Sequence, residues 1–267
     1  MSFYEWFFLE KDRAPAGLFS WSHLLSVSII FIGFVVLGFF LAKKYKGNPK
    51  GQRIVLIITS AFLLTLVLMK IIFLVITSDD VANTLLENLP LFFCDMMYFM
   101  IPVAAFSKGK VQDICFDFIA ICGFMMGIMG NYFAGNIYVT HPAISYLSLI
   151  NSFIHSIYAF AAMFIFKAHL NKMEKRNIPF TIGVLIIYMS IALLVDYLTE
   201  KNFMFLIGGS DTPFEIIFSL VKGNLIIYQI ILYVLQCGYI GLFYLVYHLI
   251  IKLINSKKKT KQETNNE

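Results

Sequence analysis

Charge is what this chain has least of. Asp, Glu, Lys and Arg make up 14% of its 267 residues, where a soluble domain carries about 25%. With 59% hydrophobic and 16% aromatic residues and a mean hydropathy of +0.78, this shortage excludes an ordinary soluble fold. It implies an integral membrane protein. Cysteine is sparse too: Cys94, Cys115, Cys122 and Cys237 all fall in apolar runs. Their spacing suits neither a disulfide scaffold nor a zinc site, so neither is expected. The net charge is only +5. Its basic residues form short clusters between apolar runs, the membrane-topology pattern, and nucleic acid is not expected as a partner. No internal repeat and no soluble domain is evident. The first residues do not read as a signal peptide, because Lys11 comes only after Phe3, Trp6, Phe7 and Phe8.

What the chain does have is seven apolar runs, at about 20–41, 54–77, 89–106, 111–132, 144–166, 179–197 and 224–253. The expected fold is all-α: a seven-helix transmembrane domain over residues 20–253, multi-pass in the cell membrane. Residues 1–19, aromatic and mixed in charge, read as an interfacial segment. Residues 254–267 read as a basic, polar tail, disordered over 255–267. A short interfacial helix is expected between the sixth and seventh runs. Lys and Arg alternate between loops. Sixteen of the 21 lie in loops one, three, five and at the C-terminal end, four lie in the N-terminal segment and loop six, and Lys70 is inside a run. This alternation puts the N-terminus outside and the C-terminus in the cytoplasm.

On that topology the intramembrane ionisable groups crowd the outer half. Cys94 and Asp95 lie about 9 Å below the surface, Lys70 about 10 Å and His155 about 15 Å. His23 lies near the outer surface, and His141 and Asp196 at the rim. A carboxylate at such depth costs at least ~2.5 kcal/mol unless paired or wet, which suggests an outward-facing, partly wet cavity. Buried cysteines mostly serve as packing. Cys94 differs because it adjoins a carboxylate near a helix start, where the positive helix end favours a thiolate. Asp95 opposes that unless Lys70 neutralises it. Lys70 and Asp95 form an expected ion pair, open between a helix-bonding and a catalytic role. His155, within Asn151-Ser-Phe-Ile-His155-Ser156, could pair with a thiol as general base, relay protons, or pack as a hydrogen-bonded residue. Gly123, Gly127 and Gly130 suit close helix packing.

Leu89-Pro-Leu-Phe-Phe-Cys94, Phe153-Ile-His155-Ser156 and Asn202-Phe-Met-Phe-Leu206, taken in order with His23, resemble the YwaF-like bacterial membrane proteins. These are grouped with the transmembrane protein 164 acyltransferases, and the resemblance covers roughly residues 18–253. Phe92 stands where the family pattern has a histidine, and Ser156 where it has a glycine. The resemblance implies a cysteine-dependent transfer of fatty acyl chains between membrane lipids, with no metal or nucleotide cofactor. Cys94 would be the acyl-accepting nucleophile and His155 its general base, and Asp95, Lys70, His23 and Asn151 are candidates for supporting the site. The rival expectation is a non-enzymatic seven-helix lipid-binding or proton-coupled transport protein using Lys70, Asp95 and His155. A serine- or threonine-based lipid hydrolase is a third.

Overall fold

The computed structural model describes residues 2–209 and 212–264, with side chains described through Asn255. All regular structure among these residues is helical. The principal helices are α1 (Trp21–Lys44), α2 (Pro49–Ile76), α3 (Met97–Phe106), α4 (Lys110–Tyr132), α5 (Tyr146–Lys167), α6 (Ile178–Thr199) and α7 (Leu225–Thr264). Local chemistry sets several starts. The Ser20 hydroxyl accepts from the His23 amide at α1, and Asn48 accepts from Gly51 just before Pro49 at α2. Both satisfy amides that a helix start leaves open. Six helical segments are long and apolar enough to cross a bilayer: Trp21–Lys44, Pro49–Ile76, Lys110–Tyr138, Tyr146–Lys167, Lys175–Thr199 and Leu225–Asn255.

The third expected span is the exception. The chain does not form one helix over 89–106. Helix begins only at Phe93, as a 3-10 turn (Phe93–Met96) running into α3. Pro90 disfavours helical geometry at Leu89, and Phe92 is extended (φ −77°, ψ 156°). α7 continues to Thr264. Residues 265–267 lie outside the described residues.

The chain forms two compact units, Met1–Lys172 and Met173–Glu267. In the first, α5 is the central helix, packed against α1, α2 and α4, while α3 packs on α2 and α4. α5 carries Ser148, Asn151, Ser152, His155 and Ser156, all buried. A helix with that polar face is stable in a bilayer only when surrounded by protein. Its neighbours approach closely through glycine. A Cβ added at Gly38 of α1 would lie 2.8 Å from the Phe160 carbonyl, and one at Gly123 of α4 would lie 2.7 Å from the Tyr158 carbonyl.

Residues 2–19 fold against this unit. Phe3–Phe7 is a short helix capped reciprocally by Ser2 and Glu5. The Phe8 ring lies 5.1 Å from Tyr146 of α5 and 6.1 Å from Phe73 of α2. Arg13 stacks 4.0 Å over Trp6 and donates to the Ile144 carbonyl at 2.8 Å. Glu10 pairs with His141 at 2.9 Å.

In the second unit α6 and α7 are joined by a polar ladder: Thr181–Tyr244 at 3.2 Å, Ser190–Tyr233 at 3.2 Å and Tyr197–Gln229 at 2.9 Å. Between them, Asn202 braces its loop by accepting from the Ile207 amide and donating to the Gly208 carbonyl. Met204 and Phe205 take left-handed φ values of 53° and 59°. The Phe203 amide donates to buried Asp196 at 2.6 Å. The expected short helix is Phe214–Leu220; Ser210 and Asp211 before it lie outside the described residues.

Candidate active site

Cys94 is the second residue of the 3-10 turn. The residue is partly exposed, and its thiol donates to Asp95 Oδ1 at 3.7 Å. The other carboxylate oxygen of Asp95 accepts from the Phe92 amide at 3.0 Å. This is the carboxylate half of a capping box; Phe92 has no polar side chain to complete the other half. The turn thus fixes a buried carboxylate against the thiol. Lys70 does not pair with Asp95 as expected: no Lys70–Asp95 ion pair occurs among the described residues. Asp95 is held by backbone instead, and the Lys70 charge acts on Cys94, Asp95 and His155 at longer range.

His155 lies on α5 with its Nδ1 2.9 Å from the Asn151 carbonyl. A carbonyl only accepts, so Nδ1 carries the proton, and the neutral imidazole leaves Nε2 as the basic nitrogen. The Asn151 side chain donates to the Gly130 carbonyl at 2.9 Å, tying α5 to α4. Gly130 is the floor under the imidazole, since a Cβ there would overlap Cδ2, Cγ and Nε2 of His155. Asn151 therefore sets the tautomer with its main chain and the helix register with its side chain.

His23 has a different place. The Phe19 amide donates to its Nδ1 at 3.1 Å, so Nε2 carries the proton and donates to the Asn131 carbonyl at 2.9 Å. Its ring lies 4.0 Å from the Tyr138 ring, and the residue is fully buried. Both nitrogens are occupied, so His23 is a structural link between the start of α1 and the end of α4.

Sequence reasoning missed Asn131, Tyr98 and Tyr158. Asn131 is fully buried at the end of α4. Its amide donates to the Gly127 carbonyl and to Ser156 Oγ at 3.3 Å, and its oxygen accepts from Ser152 Oγ at 2.6 Å. A lone Asn near a helix end reads as a cap. Only its place opposite Ser152 and Ser156 in a paired helix would have marked it. Asn131→Leu should leave both hydroxyls without this partner, at about 1–3 kcal/mol each, toward the lower end because serine can rebond to its own helix carbonyls. The check is a lower thermal midpoint in detergent, set against an unchanged one for a lipid-facing control such as Ile29→Leu.

Tyr98 and Tyr158 join the two halves of the site. Tyr98 lies about one turn beyond Cys94, and Tyr158 lies three residues beyond His155, on the same helix face. The Tyr98 and Tyr158 rings are 6.3 Å apart, and Tyr158 meets the His155 ring edge-on at 5.2 Å. No hydrogen bond joins Cys94 to His155 among the described residues. A cavity of about 350 Å³ lies elsewhere, lined by Arg13, Ser22 and Ile144 among others, and includes none of the candidate residues. No group of three or more His, Cys, Asp or Glu able to hold a metal occurs among the described residues.

A bundle of long apolar helices, with a thiol, a carboxylate and an imidazole of fixed tautomer in its interior, defines a multi-pass helical membrane protein. More narrowly, the chain belongs to the TMEM164 family, which it matches over residues 18–247. No match was found among curated proteins or among solved structures.

Proposed function

We propose that this protein is a membrane-lipid acyltransferase working through an acyl thioester on Cys94. The reading rests above all on His155. Its Nδ1 proton is committed to Asn151, so the imidazole is prepared to take a proton at Nε2, in the same unit as a thiol polarised by a carboxylate. Family membership adds support. The Cys94 thiol gives its proton to His155 Nε2, and sulfur attacks the carbonyl carbon of a lipid ester. The ester C–O bond breaks, and the departing lyso-lipid oxygen takes the proton from His155. A second lyso-lipid hydroxyl reverses these steps and carries the acyl group away. A lipid substrate suits a partly exposed cysteine within an apolar bundle, because its chains can stay in hydrocarbon throughout.

The seven-crossing topology belongs to the same proposal. The 3-10 turn and α3 comprise 4 and 10 residues and rise about 23 Å. Extended Phe92 adds about 3 Å, which brings the segment to within a few ångströms of the ~30 Å of a bilayer core. Non-helical backbone at that depth is tolerated where protein buries it or it lines a wet cavity, as a reactive thiol requires. Seven crossings preserve the Lys/Arg alternation, with the N-terminus outside, in the cell membrane.

The test is mass spectrometry of the purified protein from lipid-containing membranes. A fatty acyl mass on the peptide containing Cys94, released by hydroxylamine, is the expected result. Absence of any adduct, with a lipid profile unaltered by the protein, would sink the proposal.

A further inference from the structure

Tyr158 carries a hydroxyl that the structure leaves unused. The residue is fully buried in α5, and its hydroxyl has no hydrogen-bond partner. The Tyr98 hydroxyl is near enough to interact but does not meet it with hydrogen-bond geometry. A buried hydroxyl without a partner is destabilising, because it has given up its bonds to water and gained none. Within a bilayer no bulk water is at hand to relieve it. Phenylalanine would fill the same space without that cost, and this chain uses phenylalanine freely, with 28 of them.

The surroundings indicate what the hydroxyl awaits. Tyr158 touches the imidazole of His155 and the ring of Tyr98, and it lies within electrostatic reach of Cys94 and Asp95. Around it the Cys94 thiol donates to Asp95, Asp95 accepts from Phe92, His155 Nδ1 donates to Asn151, and the Tyr98 hydroxyl interacts with Asp95. The Tyr158 hydroxyl is the neutral donor among these groups that is left without a partner. Ester carbonyls only accept, and when a thiol adds to one, the π electron pair moves onto oxygen and makes an anion. A neutral donor fixed by packing, in low dielectric, is the group best suited to stabilise that charge.

We propose that the Tyr158 hydroxyl donates a hydrogen bond to the acyl carbonyl oxygen of the bound lipid ester, and more strongly to the oxyanion formed when Cys94 adds. This rests on the acyltransferase reading and names its acceptor: a carboxylic ester of a lipid, not a phosphate headgroup or an ether. No proton is transferred by Tyr158. Its O–H bond stays intact while sulfur–carbon bonding forms and, on collapse, the C–O bond to the lyso-lipid breaks.

Two measurements test it with the full-length protein in lipid nanodiscs. The first is infrared spectroscopy of a phosphatidylethanolamine labelled with ¹³C at its ester carbonyls, bound to Cys94→Ala so that no chemistry occurs. A carbonyl band shifted to lower frequency is expected with Tyr158 present and lost in Cys94→Ala/Tyr158→Phe. No shifted band, or one that persists in the double variant, overturns the proposal without bearing on acylation of Cys94. The second is the rate of Cys94 acylation in Tyr158→Phe, expected to fall about 10²–10³-fold in the chemical step. The thermal midpoint should hold or rise, because the substitution removes an unpartnered group. A merely structural hydroxyl would instead lower the midpoint and leave the acylation rate within a few-fold of native, and that result also overturns it.

Discussion

Replacing His155 by alanine should slow acylation of Cys94 by about 10²–10⁴-fold, the usual contribution of a positioned general base. The argument follows from its two nitrogens. Nδ1 is committed to the Asn151 carbonyl at 2.9 Å, so the basic lone pair is on Nε2 and stays there without a choice of tautomer. The thiol needs such help because attack through a bare thiolate would place a second negative charge beside the Asp95 carboxylate. A proton passed to imidazole as sulfur attacks avoids that state. Time-resolved mass spectrometry of the Cys94 peptide would read the rate directly. His155→Gln is the informative companion: it keeps bulk and polarity but offers no basic nitrogen, so it should be as slow as alanine. If glutamine acylates at the native rate, His155 serves packing alone and the nucleophile–base assignment fails. Cys94→Ala should show no adduct at all, which sets the floor for both.

The same geometry shows why parts of the site were legible in the sequence and parts were not. Cys94, Asp95 and His155 stood out because polar groups in apolar runs are costly and so informative one residue at a time. The thiol–carboxylate contact could be anticipated from adjacency. The bond from Asp95 to the Phe92 amide could not, because it depends on the 3-10 geometry that follows Pro90. That same local geometry turned an expected full-length helix at 89–106 into a short one. An ion pair between Lys70 and Asp95 looked natural from depth alone. Depth, however, says nothing of rotation about a helix axis, and two groups at one level need not face each other. His23 was singled out as polar near a helix start, but its partners Phe19 and Asn131 are set by how the ends of α1 and α4 meet. Tyr98 and Tyr158 were invisible for a different reason. Tyrosine is ordinary in this composition, and only an unpartnered hydroxyl in a closed interior makes one unusual.

Gly130→Ala should disable the site as thoroughly as loss of His155 while leaving every ionisable group in place. A methyl there would occupy the position of the imidazole ring, and the ring is confined by Tyr158 at its edge and by the Asn151 bond. Three responses are open: α4 moves away from α5, the His155 side chain rotates off Asn151, or both. The first breaks the Asn151–Gly130 link and disturbs the tight approach at Gly127, where an added Cβ would already be 3.0 Å from the His155 carbonyl. The second frees the tautomer and moves Nε2. Overpacking of this kind costs about 1–3 kcal/mol, so a lower thermal midpoint is expected together with an acylation rate near that of His155→Ala. The double variant Gly130→Ala/His155→Ala separates packing from chemistry. With the imidazole gone, the added methyl meets space rather than a ring, so the stability lost in Gly130→Ala should be largely recovered while the rate stays low. That is strong non-additivity, as expected for residues in direct contact. Additive stability losses would mean that Gly130 and His155 do not share this space in the working protein, and the floor assigned to Gly130 would have to be withdrawn.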